Sequence, residues 1–226
     1  MKREEAKSRL IEAAGPVFAD KGYEAATVRE ICDLAGMNVA SVNYYFGEKQ
    51  TLYIEAFHEA LPMHGSEEAT ASPDGERTAR ERLNAIIHSL VARVGQHCRQ
   101  SENREAWRWR LLARERANPT PQCAELAVEH MRHEFSLILD TLREILPSSV
   151  PEAKLIQTGL SISGQCMQYG PGLPLVRAVV SPAMLAESFS PDQIADHIWD
   201  VVTAALDRIE AEYDFESSQQ TAGSRQ

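Results

Sequence analysis

The chain has 226 residues, 43% of them hydrophobic, so it can bury a substantial core as one large or two modest domains. It contains no apolar run of about 18 residues and begins with a charged segment, which argues against a transmembrane helix and a secretion signal. Its net charge of −10 counts against a protein that coats nucleic acid nonspecifically. We expect a cytoplasmic protein whose four cysteines are reduced, buried thiols.

The N-terminal part of the sequence has the apolar periodicity of helices. A stripe of apolar residues over 4–21 predicts a first helix, which Pro16 bends and which ends at Gly22. A later helix is predicted over 49–61. Residues 62–78 are rich in Pro, Gly, Ser and Thr and are expected to form a linker or loop.

Between these two helices, the pattern predicts a helix-turn-helix. Thr27 and Glu30 have the spacing of a capping box, which begins a short helix. Gly36 permits a tight turn, and Asn38 is suited to cap a second short helix that ends near Phe46. In a helix-turn-helix, the second helix enters the major groove of DNA.

The rest of the chain is also predicted to be helical. Residues 170–182 contain too much proline and glycine for a regular helix, and no alternating pattern is strong enough to predict a strand. We predict an all-α fold of about nine helices. Further helices are expected at 79–99, 103–115, 120–146, 152–169 and 191–213.

This pattern divides the chain into three parts. Residues 1–48 are predicted to form a helix-turn-helix DNA-binding domain. Residues 49–213 are predicted to form a larger helical domain for effector binding and dimerisation. Residues 214–226 are polar and lack apolar anchors, so we expect a disordered tail there.

The second helix of the motif has two chemically different sides. Val42 and Phe46 are four residues apart and suit a buried side. Asn43 has an amide that can contact adenine through two hydrogen bonds, and Tyr44 and Tyr45 suit contacts to sugars, thymine methyl groups or phosphates. The pattern predicts a few well-placed donors rather than a broadly basic surface.

The residues around the motif resemble the N-terminal signature of the TetR family of transcriptional regulators. The resemblance covers about residues 6–57 and rests on Val17-Phe18, Lys21-Gly22-Tyr23, Thr27 to Cys32, Ala35-Gly36-Met37, Tyr44 to Lys49 and Leu52-Tyr53. It implies that the lysine at position 49 binds phosphate. Most members have a phosphate-binding tyrosine where this chain has Asn43, so that contact is lost or replaced by base recognition. The DNA-contacting positions that the resemblance implies are Thr27, Arg29, Val39, Ala40, Ser41, Asn43, Tyr44, Tyr45 and Lys49.

Two C-terminal helices carry broad apolar stripes. One includes Leu160 beside small Gly159, Ser163 and Gly164, and the other runs from Ile194 to Ile209. Either stripe suits the core of a monomer as well as an interface. The resemblance implies that the last two long helices of two subunits pair in a four-helix bundle, and a homodimer is needed to recognise two half-sites of a palindromic operator.

The middle helices carry polar and aromatic residues that suit the binding of a small-molecule effector. The same residues also suit a buried core or surface ion pairs. His130 and His133 have a spacing compatible with a metal, but no third ligand is placed beside them, so we predict neither a metal nor another cofactor. The candidate effector-binding residues are Trp107, Trp109, Arg110, Arg114, His130, His133, Gln165 and Tyr169.

Together these features predict a DNA-binding regulator that is not an enzyme, has no membrane partner and acts as a repressor released from its operator by a small molecule. The alternative is a protein-interaction adaptor or an enzyme in which the N-terminal helical hairpin is only structural. The sequence has no nucleophile elbow, phosphate-binding loop or metal-ligand set that would favour an enzyme.

Overall fold

A computed structural model describes the backbone of residues 2–61, 77–99, 106–170 and 173–223, and the side chains of residues 3–61, 77–94, 107–170 and 175–214. These residues form helices and no strands, as the sequence predicts. Within the described ranges, no helix is both long and apolar enough to cross a bilayer. The described residues form eleven helices, which are α1 (Lys2–Ala25), α2 (Val28–Ala35), α3 (Ala40–Phe46), α4 (Lys49–Ala60), α5 (Ala79–Arg99), α6 (Ala106–Ala117), α7 (Ala124–Ile145), α8 (Glu152–Gln168), α9 (Leu173–Val179), α10 (Pro182–Ser188) and α11 (Pro191–Gly223).

The chain forms two compact units. The first unit comprises Met1–Met63 and Gln96–Met131, and the second comprises His64–Gly95 and Arg132–Gln226. The first unit therefore includes α6 in addition to the four N-terminal helices. The boundary between a DNA-binding domain and an effector-binding domain at residue 48 stays a prediction.

The core of the first unit is built by apolar residues of α1 to α4 and α6. Leu10, Phe18, Phe57 and Leu111 are fully buried there. The break in α1 lies at Gly22, where φ is 76° and ψ is 179°, a conformation that glycine adopts at little cost. The helix end that the sequence predicts at Gly22 is thus a kink near the end of α1.

Helix α6 packs closely against α1 at two glycines of α1, Gly15 and Gly22. The indole of Trp107 lies against Gly15, where an added methyl group would come within 2.3 Å of the ring. Seven residues further along both helices, an added methyl group at Gly22 would lie 2.4 Å from Arg114 Nη2. Arg110 Nη1 lies 3.1 Å from a carboxylate oxygen of Asp20. These contacts show that α1 and α6 run in the same direction along their shared face.

The second unit has its own apolar core, to which α5, α7, α8 and α11 contribute. Side-chain contacts to carboxylates join α5 to α11 in two places. Arg80 Nη2 lies 2.8 Å from Asp207 and 2.9 Å from Glu210, and His88 Nε2 lies 3.2 Å from Asp196. Arg80 precedes His88 on α5, whereas the carboxylates that contact Arg80 come after Asp196 on α11. The two helices therefore run antiparallel.

Two parts of the C-terminal half differ from the sequence prediction. The expectation of no regular helix over 170–182 is wrong, since α9 occupies Leu173–Val179. Its proline, Pro174, lies in the first turn, where the missing N–H would have no partner within the helix. Helix α11 continues to Gly223, beyond the start of the predicted disordered tail at 214. That segment contains no proline, so the helix can propagate through its Glu, Gln and Ala residues.

Three of the four cysteines lie among the residues with described side chains. Cys32, Cys123 and Cys166 are buried and free, in agreement with the sequence prediction. Burial raises the pKa of Cys123 and of Cys166 to about 12, so both thiols stay protonated and inert at neutral pH. The side chain of Cys98 lies outside the described residues.

Candidate nucleic-acid interface

The start of α2 is fixed by its N-cap. Thr27 Oγ1 accepts a hydrogen bond from the backbone N–H of Glu30 at 3.2 Å, which is the predicted cap. The carboxylate of Glu30 accepts a hydrogen bond from Lys21 Nζ at 2.6 Å. Arg29 lies in the first turn of this capped helix, and its side chain is exposed.

The turn between α2 and α3 is held by the conformation of Gly36 and by two hydrogen bonds. Gly36 ends α2 in the left-handed conformation, with φ of 63° and ψ of 36°. Arg9 Nη2 donates a hydrogen bond of 2.7 Å to the carbonyl oxygen of Ala35, the last residue of α2. Asn38 Oδ1 accepts a hydrogen bond of 3.0 Å from the backbone N–H of Ala40. These contacts set the direction in which α3 leaves the turn.

Helix α3 has the two sides that the sequence predicts. Val42 and Phe46 are buried in the core of the first unit. Asn43 and Tyr44 point to solvent, and 71% of Tyr44 is exposed. The ring of Tyr44 meets that of Tyr45 edge to face, with 4.8 Å between the ring centroids. An aromatic side chain this exposed adds little to the core, so its place on the surface suits contact with another molecule.

The predicted DNA-contacting residues all belong to the first unit, on α2, α3 and their flanks. Lys49 differs from the others because its ammonium group contacts the protein's own backbone, 2.8 Å from the carbonyl oxygen of Tyr23. Ser41, Tyr45 and Lys49 are half-buried. The exposed members are Thr27, Arg29, Val39, Ala40, Asn43 and Tyr44.

A buried polar network, which the sequence did not indicate, joins α4 to α6 in the first unit. The carboxyl group of Glu115 is fully buried. Its Oε1 accepts a hydrogen bond of 2.5 Å from the hydroxyl of Tyr53, and its Oε2 accepts bonds of 2.8 Å and 3.0 Å from the N–H and hydroxyl of Thr120. Burial raises the pKa of Tyr53, and the hydrogen bond to Glu115 raises it further, so the phenol remains a donor.

The candidate effector-binding residues are divided between the two units. In the first unit, Trp107 is buried against α1, and Arg110 and Arg114 lie beside the same helix, as described above. Trp109 and His130 also belong to the first unit, whereas His133, Gln165 and Tyr169 belong to the second. Gln165 Nε2 donates to the carbonyl oxygen of Ser161 at 3.4 Å. Whether any of them binds an effector stays a prediction.

Among the residues with described side chains, no group of three potential ligands is placed to hold a metal ion.

Two family models match the chain. Residues 10–56 match the model described as bacterial regulatory proteins of the tetR family. Residues 79–209, more than half of the chain, match the C-terminal domain of the HTH-type transcriptional dual regulator CecR. The chain belongs to the TetR family. Its DNA-binding signature and its C-terminal domain are both characteristic of such regulators.

Curated TetR-type regulators are similar along much of the chain. It is 30% identical over 141 residues to the HTH-type transcriptional dual regulator CecR of Shigella flexneri, a match that covers 59% of each protein. It is also 30% identical over 146 residues to the HTH-type transcriptional regulator BetI of Rhizobium meliloti, covering 65% of this chain and 68% of that regulator. The match thus spans less than two thirds of the CecR relative. These names favour a DNA-binding transcriptional regulator over an enzyme.

Solved structures of TetR-type regulators share the fold. HlyIIR, a hemolysin II transcriptional regulator, is similar with a TM-score of 0.54 and 19% identity, over 86% of this chain and 97% of that one. The transcriptional regulator FadR from Bacillus subtilis, solved in complex with stearoyl-CoA, is similar with a TM-score of 0.54 and 16% identity, over 86% of this chain and 96% of that one. At these identities the likeness establishes the fold alone.

Proposed function

We propose that this regulator is a cytoplasmic repressor that binds a palindromic operator as a homodimer and is released by a small molecule. The observation that carries the proposal is the exposed side of α3. An asparagine and a tyrosine stand there on a short helix whose opposite side is anchored in the core by Val42 and Phe46. A helix held in this way presents its side chains to a major groove without unfolding.

The proposed contacts follow from the chemistry of the exposed side chains. The Asn43 amide suits hydrogen bonds to the N6 and N7 atoms of adenine. This base contact takes the place of the phosphate contact that a tyrosine makes at this position in most members of the family. Tyr44 suits a sugar, a thymine methyl group or a phosphate. Thr27 and Arg29, at the exposed start of α2, suit phosphate oxygens. Ala40 is small and exposed, which lets the α3 backbone approach the base edges.

The second unit offers a surface for dimerisation. On α8, Ile156, Leu160 and Gly164 follow at intervals of four residues and are exposed, Leu160 by 56%. On α11, Val201 is 45% exposed and Ala205 is exposed as well. Apolar residues four apart form one stripe on a helix, and small residues beside them permit close approach of a second helix. These stripes support the proposed four-helix bundle between two subunits.

Replacing Leu160 by glutamate is expected to raise the dissociation constant of the homodimer by about 100-fold, because each interface then buries two carboxylates. Analytical ultracentrifugation over a concentration series measures this constant. Val128→Glu is the matched control, since Val128 is 44% exposed but belongs to the first unit. A Leu160→Glu protein that remains dimeric at the same concentrations as the wild type would refute the proposed interface.

Release by a small molecule is proposed because a large helical domain accompanies the DNA-binding motif, and because FadR, which has the same fold, was solved with stearoyl-CoA. The dimer has one conformation that fits the operator and another in which the recognition helices are wrongly spaced. An effector that binds the second conformation more tightly than the first lowers the affinity for the operator, and the ratio of its two affinities limits the effect. Fluorescence anisotropy of the operator complex, titrated with stearoyl-CoA and a panel of apolar acids and amines, is expected to show release by at least one compound class. Operator affinity unchanged by every compound would reject effector release while leaving DNA binding intact.

A further inference from the structure

Helices α9 and α10 form an arm, residues 173–188, between the end of α8 and the start of α11. The ring of Tyr169, just after α8, lies 6.5 Å from the ring of Phe189, just before α11, measured between centroids. Gln193 Nε2 on α11 donates a hydrogen bond of 3.0 Å to the carbonyl oxygen of Glu187, near the end of α10. The chain therefore leaves the second unit and returns to it at nearly the same point.

The arm buries little of its apolar surface within its own subunit. Among its described side chains, at positions 175–188, none is buried. Leu175 is 72% exposed, and Val179, four residues later on the same side of α9, is 83% exposed. Isolated helices shorter than about 12–15 residues are marginal in water, so the two short helices of the arm need packing from elsewhere.

The arm carries almost no charge. Arg177 and Glu187 are its only charged residues, and they cancel, whereas the whole chain has a net charge of −10. A strongly charged protein or an anionic membrane surface would therefore gain little electrostatic attraction from it. The composition of the arm suits an uncharged, apolar surface.

The exposed apolar surface of the second unit continues from the arm to the proposed dimer interface. The stripe on α8 runs from Leu160 through exposed Gly164 to exposed Gln168, next to the point where the chain leaves for the arm. The rise along the helix from Leu160 to Tyr169 is about 14 Å. Among the described residues of this unit, the large apolar side chains that are exposed all lie on α8, on α11 or on the arm, and they are Ile156, Leu160, Leu175, Val179, Met184 and Val201.

We propose that the arm is exchanged in the homodimer, so that the apolar side of α9 and α10 packs against the second unit of the partner subunit. The proposal rests on the proposed homodimer and adds a surface to it beyond the four-helix bundle. A two-fold axis repeats the contact, so each dimer contains two exchanged arms. The exchange covers the apolar side chains that a single chain leaves in water and gives the short helices the packing they lack.

Photo-cross-linking between differently labelled subunits tests the exchange. Val179→p-benzoylphenylalanine places a photoreactive group on the exposed side of α9 in the full-length protein. This variant, of natural isotope composition, is mixed with an excess of heavy-isotope-labelled wild type at a concentration that allows subunits to exchange. We expect mass spectrometry to find the light arm joined mainly to heavy peptides of the second unit. The same group at Val128, an exposed position in the first unit, is the matched control and is expected to give no heavy peptides of the second unit.

The outcomes separate the arm from the rest of the account. A dimer in which the arm is joined only to light peptides of its own subunit would overturn the exchange and leave the proposed dimer and DNA binding intact. A dimer in which the arm is joined to no peptide would overturn it as well, because the arm would then be free for a different partner. A wild-type protein that is monomeric at every concentration used would overturn both the exchange and the proposed dimer.

Replacing Leu175 and Val179 together by glutamine is expected to raise the dissociation constant of the homodimer by at least about 100-fold, because four apolar side chains are lost from each dimer. Both residues are too exposed to be needed for the fold of one subunit. Val128→Gln combined with Met131→Gln is the matched control, since it removes two exposed apolar side chains from the first unit. Its dissociation constant is expected to stay within about twofold of the wild type. Analytical ultracentrifugation measures both, and a wild-type constant for Leu175→Gln with Val179→Gln would contradict the exchange.

Discussion

Replacing Glu115 by alanine is expected to lower the free energy of unfolding of the first unit by about 3–5 kcal/mol. The change removes the acceptor of the Tyr53 hydroxyl and of the Thr120 N–H and hydroxyl, all three of which bond to the Glu115 carboxyl group. The pKa of Tyr53 is raised by burial, so this phenol does not escape by ionising. A buried donor left without an acceptor costs about 1–3 kcal/mol, and the cavity adds to the loss.

Urea unfolding followed by tryptophan fluorescence measures the loss, because Trp107 is buried in the core of the same unit. Glu115→Gln is the matched control. Glutamine has nearly the same volume and keeps one oxygen that accepts hydrogen bonds. The expected loss in the free energy of unfolding is therefore about 1–2 kcal/mol. If Glu115→Ala unfolds at the wild-type urea concentration, the network does not hold α4 to α6.

Replacing Tyr44 by alanine is expected to lower operator affinity by at least about 30-fold while leaving stability unchanged. A good side-chain contact to DNA discriminates by about 1–3 kcal/mol, and a dimer loses one contact from each subunit. Stability is expected to be unaffected because 71% of the tyrosine is exposed and only the edge-to-face contact with Tyr45 is lost. Anisotropy titrations of the variant and the wild type, at one salt concentration, measure the change.

Leu34→Ala is the control for this substitution. Leu34 is 64% exposed, comparable to Tyr44, but it lies near the end of α2 rather than on the exposed side of α3. Its removal is expected to leave operator affinity within about twofold of the wild type, since substitutions of exposed residues away from an interface have small effects. Equal losses for Leu34→Ala and Tyr44→Ala would indicate that a general change in the first unit causes both.

Local sequence patterns predict much of this fold because they act within a few residues. The cap at Thr27, the turn at Gly36 and the two sides of α3 depend on neighbours no more than four residues away. Proline and glycine content predicts no regular helix over 170–182, yet α9 forms there because proline is tolerated in the first turn of a helix. Position along the helix, and not composition alone, decides the effect of proline.

The remaining features depend on contacts between residues that are far apart in the sequence. Glu115 and Tyr53 are 62 residues apart, and Lys49 and Tyr23 are 26 residues apart. A charged residue in a helical pattern is usually exposed, so the pattern gives no sign that Glu115 is buried. Trp107 is buried beside Gly15 in the core of the first unit, a contact between residues far apart in the sequence that no local pattern indicates.

The most direct test of the central claim, that two copies of α3 recognise adjacent major grooves, is selection of bound duplexes from a random DNA library by the purified full-length protein. We expect enrichment of an inverted repeat whose half-sites lie about 10–10.5 base pairs, or a multiple of that spacing, apart. We also expect Tyr44→Ala to lose this enrichment. Recovery of sites without two-fold symmetry, or of the same repeat by Tyr44→Ala, would contradict DNA recognition by this helix.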